Sequence, residues 1–247
     1  MINIIYISYF EFDQIKKNIK RIEASNLISF HVFESIDYNS AKNSLNELYD
    51  LGYQIKIYEV KKEPCIENHW YKIIKYYNFK NILLLCADET LLLSISDQIE
   101  ILTYEMIQFP RENLIGNYVL KGGGWGVNQD YQIRFIKNPE LIENKPRAHH
   151  LPFKVIKECI KSKLIIRHNS YENIAQFIDR FNRYTTLEAT FVDKNVLTSY
   201  LIYRSFKHFF KRYIYQKGYR DGSLGFILSS LMAIYYATSI IKSKEEL

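Results

Sequence analysis

Short β-branched runs alternate with amphipathic stretches along the first third of the chain. Ile2 to Tyr9 is apolar nearly throughout and reads as a strand, whereas from Phe12 to Ala24 the apolar positions Ile15, Ile19 and Ile22 return at helical spacing. The pair of signals then repeats. A strand is expected from Leu27 to Phe33, a helix from Ser40 to Leu51 stopped by Gly52, and a third strand from Tyr53 to Val60. A helix from His69 to Tyr77 leads into Asn81-Ile-Leu-Leu-Leu-Cys-Ala-Asp-Glu, an unbroken apolar run that ends in two carboxylates. Such alternation implies right-handed crossovers and a mostly parallel sheet flanked by helices, with central strands buried on both faces. Ligands of such sheets bind beyond the carboxyl ends of the strands, so Asp88 and Glu89 stand where this α/β class places its chemistry.

From Phe109 to Phe135 the texture changes, with Pro110, Gly116, the triplet Gly122 to Gly124, and Gly126 among Tyr118, Trp125 and Tyr131. This reads as loop and short strand. Further on, Ser170 is placed to cap an amphipathic helix carrying Ile174, Phe177, Ile178 and Phe181. Leu224 to Ile241 is an uncharged stretch at the lower limit of length for a membrane span. Gly225, Ser229, Ala233 and Ala237 fall four apart along it, opposite Leu224, Ile227, Leu228, Leu231, Ile234 and Tyr235. A close-packed or in-plane helix fits that pattern better than a lone span. The division expected is a catalytic domain over 1–200 and a basic, aromatic helical tail over 201–247.

At 247 residues and 47% apolar, the chain has room for one sizeable α/β core and an appendage. Its 21 tyrosines and 15 phenylalanines exceed the needs of such a core, which puts rings at a surface, a sugar or a lipid. The formal charge is +6, and Arg204, Lys207, Lys211, Arg212, Lys217 and Arg220 place six positive charges in one segment free of acids. That segment suits the phosphates of an anionic lipid or of a nucleic acid. Cys65, Cys86 and Cys159 are widely spaced and form no CxxC pair, as expected of reduced thiols in the cytosol. The first residues lack a basic n-region and read as a strand, not a signal peptide.

Several pieces, taken in order, resemble family 2 glycosyltransferases, particularly the lipopolysaccharide-core type. They are Leu83-Leu-Leu-Cys-Ala-Asp-Glu; Phe109-Pro-Arg with Gly116; Gly123-Gly-Trp with Asp130-Tyr-Gln-Ile-Arg-Phe; His168-Asn-Ser; Phe181-Asn-Arg-Tyr-Thr-Thr; and Lys217-Gly-Tyr-Arg-Asp-Gly-Ser-Leu-Gly-Phe. The resemblance covers nearly the whole chain. It implies a GT-A fold, Rossmann-like with C-terminal amphipathic helices, that binds a nucleotide-diphosphate sugar and moves its hexose to a membrane-borne glycan with inversion.

The resemblance also implies roles for particular residues. A divalent cation, Mg or Mn, usually bridges the donor's phosphates, because the leaving diphosphate develops negative charge that a hard cation neutralises. Asp88 matches the last Asp of the family's DXD-like motif, while the first Asp is here Cys86, a poor ligand for a hard cation. His168 matches a histidine near the donor phosphates and is a candidate second metal ligand. Glu34 and Asp37 resemble the acids that meet the donor's base and ribose, and Asn68 matches the Asn of an RN pair, with Glu67 in place of Arg. For the base that deprotonates the acceptor, two residues compete. Asp130 sits in the glycine-rich loop with Arg134, itself a candidate contact for the donor, four residues on, and His150 aligns where the family has a carboxylate. Trp125 offers a flat face to an acceptor sugar, or serves as a core ring.

These expectations define a cytoplasmic enzyme held peripherally at the inner face of the cell membrane. Its partners are then a nucleotide-sugar donor, a glycan or glycolipid acceptor and an anionic membrane surface, with no nucleic acid. Cys86 and His150 leave open a degenerate relative that binds without turnover. The Arg204 to Arg220 patch leaves open nucleic-acid binding, against which stands the uncharged helix that follows it.

Overall fold

The computed structural model describes residues 1–61, 66–144, 153–155, 157–193 and 195–245. In chain order the elements are β1 (Ile2–Ser8), α1 (Phe12–Ile19), β2 (Ile28–Glu34), α2 (Tyr38–Leu45), α3 (Glu47–Asp50), β3 (Ile55–Glu59), α4 (Ile66–Tyr77), β4 (Ile82–Leu85), β5 (Glu89–Thr90) and α5 (Ile95–Ile101). There follow β6 (Met106–Ile115), β7 (Tyr118–Val119), β8 (Tyr131–Ile136), β9 (Ile142–Asn144), β10 (Phe153–Val155), β11 (Ile160–Lys161) and β12 (Ile166–Tyr171). Three long helices close the chain: α6 (Ile174–Ala189), α7 (Thr198–Phe210) and α8 (Gly222–Glu245). Two compact units result. One comprises Met1–Pro110 with the described residues from Tyr131 to His168, and the other Arg111–Asp130 with Asn169 onward.

The first unit is the expected α/β sheet. Its strands run in the order β3-β2-β1-β4-β8-β6, with β1, β2, β3 and β4 parallel and β8 antiparallel to both neighbours. Alternation of side chains divides the strands between two cores. Ile2, Ile4, Tyr6, Phe30, Val32, Leu83 and Leu85 face α1, α2 and α3, where Ile15, Ile19, Ala41, Leu45 and Leu48 meet them. Ile5, Ile7, Phe33, Ile82 and Leu84 face α4, through Trp70, Ile73 and Ile74. Burial on both faces explains why β4 is an unbroken apolar run and why β1 and β2 are apolar nearly throughout.

Two expectations change. The α1 helix stops at Ile19, because Ile22 leaves it for a parallel bridge with Leu93 and the Glu23 amide donates to the Leu93 carbonyl. The stretch from Phe109 is loop and strand as expected, opening with the end of a ten-residue strand, β6. Pro110 is accommodated there because a strand position that need not donate an N–H tolerates proline. Ser170 lies in β12, and the cap of α6 is Asn173, whose side chain accepts the Gln176 amide.

The second unit is built on α8, against which both α6 and α7 pack. Gly225, Ser229 and Ala233 turn inward and are buried, so the small-residue stripe is a helix-packing face. Leu228, expected on the other side, is buried with them, beside Ile115, Leu120 and Phe177. Lys242 ties α8 to α6 through the Asn182 carbonyl (2.7 Å) and the hydroxyls of Thr185 and Thr186, each 2.9 Å away.

Within the sheet, His31 on β2 is buried between Tyr58 (Nδ1 to hydroxyl 3.0 Å) and Asn3 (Nε2 to Oδ1 2.9 Å). Burial, helped by the charge of Lys56, lowers its pKa from 6.5 to about 4. The folded state therefore refuses a proton that the unfolded chain accepts. Stability should be full above about pH 6.5 and fall by about 3 kcal/mol as the pH drops to about 4. Urea midpoints of wild type and His31→Gln over that range should diverge in slope, and parallel slopes would remove His31 as the cause.

Candidate functional site

In the first unit, the carboxyl ends of β1, β2 and β4 carry the polar residues. After Leu85 the chain turns through Cys86, Ala87 and Asp88 into β5, whose antiparallel pairing with β12 sets His168 opposite Glu89. That register brings His168 Nε2 to 3.6 Å from Asp88 Oδ2, with both side chains partly accessible. Sequence alone separates the two by 80 positions, and one short strand pair closes the gap.

The turn is held from behind by buried polar groups. Asn18, on the inner face of α1, donates to the carbonyls of Ala87 (2.7 Å) and Glu89 (2.9 Å) and accepts from the Thr90 hydroxyl (2.9 Å). Glu89 has no exposed surface. Its carboxylate takes two bonds from Arg134, Nη2 to Oε1 at 2.5 Å and Nε to Oε2 at 3.1 Å, and a third from the Cys86 amide at 3.0 Å. Arg134 lies over the Trp70 ring and is itself buried, so the arginine expected beside the donor is engaged by Glu89.

Glu34 is also turned inward. Its Oε1 accepts amides from Phe10, Ser35, Ile36 and Asp37, and its Oε2 accepts the Ser8 hydroxyl. The carboxylate thus shapes the two loops after β1 and β2, and Phe10 is held there at φ +72 with its ring exposed. Asp37 is half-exposed and caps α2 by accepting the Ser40 amide at 3.0 Å, which lowers its pKa. Asn68 lies in the first turn of α4. His150 lies outside the described residues.

The second unit holds Asp130 and Trp125. Asp130 is buried, and its Oδ2 accepts from Arg111 Nε (3.0 Å) and Nη2 (2.8 Å) and from Asn113 Nδ2 (2.8 Å). Asn113 also donates to the Trp125 carbonyl and accepts the Ser170 hydroxyl. Trp125 is half-buried, edge-on to Phe177, with the Arg212 guanidinium carbon 4.4 Å from its ring centroid. Burial lowers the Arg212 pKa to about 10, against the opposing influence of Asp130. Sequence reasoning missed Asn18, Arg111, Asn113 and Arg212, since none stands in a recognisable spacing with the residue it holds.

No family model matches this chain. No curated protein is similar to it in sequence. Solved structures are similar in fold. A mannosyltransferase of Pyrobaculum calidifontis, PcManGT, in complex with GDP-Man and Mn2+, matches over 99% of this chain and 87% of its own, at 9% identity and a TM-score of 0.53. Residues 1-349 of Staphylococcus aureus TarS, in complex with UDP-GlcNAc, match over 98% and 89%, at 8% identity and a TM-score of 0.49. The glycosyltransferase GlyE of Streptococcus pneumoniae TIGR4 matches over 57% of this chain at 12% identity and a TM-score of 0.39, and the chain spans 35% of it. The mixed α/β architecture, a mostly parallel sheet flanked by helices, is similar to GT-A glycosyltransferase folds.

The Glu89–Arg134 pair yields a direct test. Arg134→Met leaves a buried carboxylate without its cation and should cost about 3–5 kcal/mol, whereas the double variant Glu89→Gln/Arg134→Met should recover much of that loss. Chemical denaturation of the set measures it, and equal losses in single and double variants would contradict the pairing as the source.

Proposed function

We propose that this protein is a glycosyltransferase that moves a hexose from a nucleotide-diphosphate sugar to a membrane-borne glycan, with inversion, in building a surface glycan such as a lipooligosaccharide core. The observation that carries the reading is the fold shared with a GDP-Man-bound mannosyltransferase over 99% of the chain. It is supported by the Asp88–His168 pair at the carboxyl end of that fold's sheet.

Asp88 Oδ2 and His168 Nε2 fit one divalent cation as an oxygen and a nitrogen ligand, a set that suits Mn better than Mg. Among the described residues no third His, Cys, Asp or Glu joins them. The donor's own phosphates would then supply much of the coordination. When bound, the ion neutralises charge developing on the leaving diphosphate. The chain's own work is to hold Asp88 in place through Asn18 and the Glu89–Arg134 pair, and Asp37 is the half-exposed acid offered to the donor's ribose.

On the acceptor side, Asp130 and His150 are the two residues proposed to take the hydroxyl proton, and Trp125 contacts the acceptor sugar. Asp88→Ala should abolish transfer from UDP- and GDP-hexoses without lowering the melting temperature. Cys86→Asp should strengthen the response to Mn. Asp130→Asn should lower kcat roughly a hundredfold if it is the base, and His150→Gln should do so otherwise. Full turnover in Asp88→Ala would end the central reading, and donor binding without any hydrolysis in wild type would favour a degenerate relative.

The enzyme is proposed to work peripherally at an anionic membrane. No residue of α7 is buried, and Tyr203, Phe206 and Phe210 lie exposed beside Lys207 and Lys211. The α8 helix is long and apolar enough to cross a membrane, yet its small-residue face is packed within the protein while Phe226, Ile227, Ile234 and Ile241 are exposed. In-plane docking fits that division. Removing residues from 201 onward would strip the second unit of α8, so surface substitutions in the full chain are the cleaner test. Lys207→Gln/Lys211→Gln should weaken co-sedimentation with phosphatidylglycerol vesicles by about 2 kcal/mol, or roughly thirtyfold. Phe206→Ser/Phe210→Ser should weaken binding at any salt. Unchanged binding in both would refute the surface, and extraction by detergent alone would indicate a span.

A further inference from the structure

The loop Lys121-Gly-Gly-Gly-Trp-Gly cannot hold a shape by itself, since glycine-rich backbone has the most freedom to lose on ordering. Gly123 and Gly124 adopt φ +65 and +87, and a Cβ at Gly122 would lie 2.1 Å from the Lys217 carbonyl oxygen. The loop is shaped instead by the segment between α7 and α8. Asp221 is buried, and its carboxylate accepts the amides of Lys121 (2.8 Å) and Gly122 (2.9 Å) and the Tyr118 hydroxyl (3.2 Å). The Gln216 carbonyl accepts the Gly123 amide and the Gln129 side chain, each at 2.9 Å. Arg212 Nη1 donates to the Gly123 carbonyl at 2.5 Å while its guanidinium covers Trp125.

The holding segment is itself irregular. It contains a π-helical turn at Lys211–Tyr215, a 3-10 turn at Gly218–Asp221, and Lys217 in the left-handed region at φ +57. Backbone of this kind persists where surrounding contacts demand it, and it clusters at functional sites. Here it packs on α8, where Tyr213 meets Phe226 and Gly218 meets Gly225, and its hydrogen bonds to Lys121, Gly122 and Gly123 hold the loop that carries Trp125.

We infer that Asp221 and Arg212 are positioning residues for acceptor binding: Asp221 fixes the backbone at the start of the glycine loop, and Arg212 fixes the Trp125 ring and the carbonyl beside it. This rests on the proposed reading of Trp125 as an acceptor contact. Preformed placement matters because small displacements of a binding group lose much of its contribution. Arg212 acts as a planar stack as well as a charge, so lysine is not an equivalent.

The test uses the full chain and reads the two substrates separately. Trp125 emission is titrated with octyl β-glucoside and octyl β-galactoside below their micelle concentrations, with Trp125→Phe as the blank that leaves only Trp70. UDP and GDP binding with Mn is measured by calorimetry. In Asp221→Asn, Arg212→Leu and Arg212→Lys, the glycoside midpoint should rise at least about tenfold, with nucleotide affinity changed less than about twofold. Thermal melts identify a variant that fails to fold, in which case the other two decide. A parallel loss of both ligands, or an unchanged glycoside midpoint, would overturn the inference. No glycoside response in wild type would overturn it too, and intact nucleotide binding in that case would leave the donor side of the proposed function standing.

Discussion

Glu89 sits fully out of water in the turn after β4, and a carboxylate so placed persists only with a cation and donors around it. Arg134 provides the cation from β8, in a two-bond arrangement, and the Cys86 amide provides a further donor. Much of the first unit's candidate chemistry follows from this. The paired charges seat β5 beneath the turn, β5 recruits β12, and that pairing carries His168 to Asp88. Asn18 adds a second hold by satisfying the carbonyls of Ala87 and Glu89 from α1. Asp88 is left with accessible surface because its neighbours on either side are anchored.

A similar demand organises the second unit. Asp221 and Asp130 are both buried; Asp221 accepts amides of the glycine-rich loop, and Asp130 accepts the side chains of Arg111 and Asn113 on β6. The Asp221 carboxylate cannot be accommodated unless the loop adopts a conformation that presents its amides. A flexible sequence thereby acquires a defined shape. The small residues of α8 let helices approach closely enough for the intervening segment to reach that loop.

Helix and strand in the first unit were legible from apolar rhythm, because doubly buried parallel strands are apolar nearly throughout while the helices between them return apolar residues at helical spacing. Boundaries were less so. The α1 helix ends early because a bridge from Ile22 to Leu93 outweighs local helical spacing, and that partner lies 71 positions away. Proline and glycine near β6 marked loop and short strand without fixing where the strand begins, and pairing with β8 carries it through Pro110. Ser170 had the chemistry of a cap, yet β12 continues through it and Asn173 takes that role.

The sequence by itself determined the alternating α/β pattern, the carboxylates closing the apolar run of β4, the concentration of positive charge near the C-terminus and the small-residue stripe of α8. Each is a local property, set by side-chain period, volume or charge. Tertiary structure alone decided that Arg134 answers Glu89, that Glu34 is spent on loop amides, that His168 reaches Asp88, and that Asp221 and Arg212 grip the loop of Trp125. Apart from the bonds of Glu34 to the adjacent amides of Ser35, Ile36 and Asp37, these pairings join residues 24 to 100 positions apart. A polar side chain carries no mark of its distant partner, because the choice among partners is made by the desolvation cost of leaving any one of them unsatisfied in the assembled core.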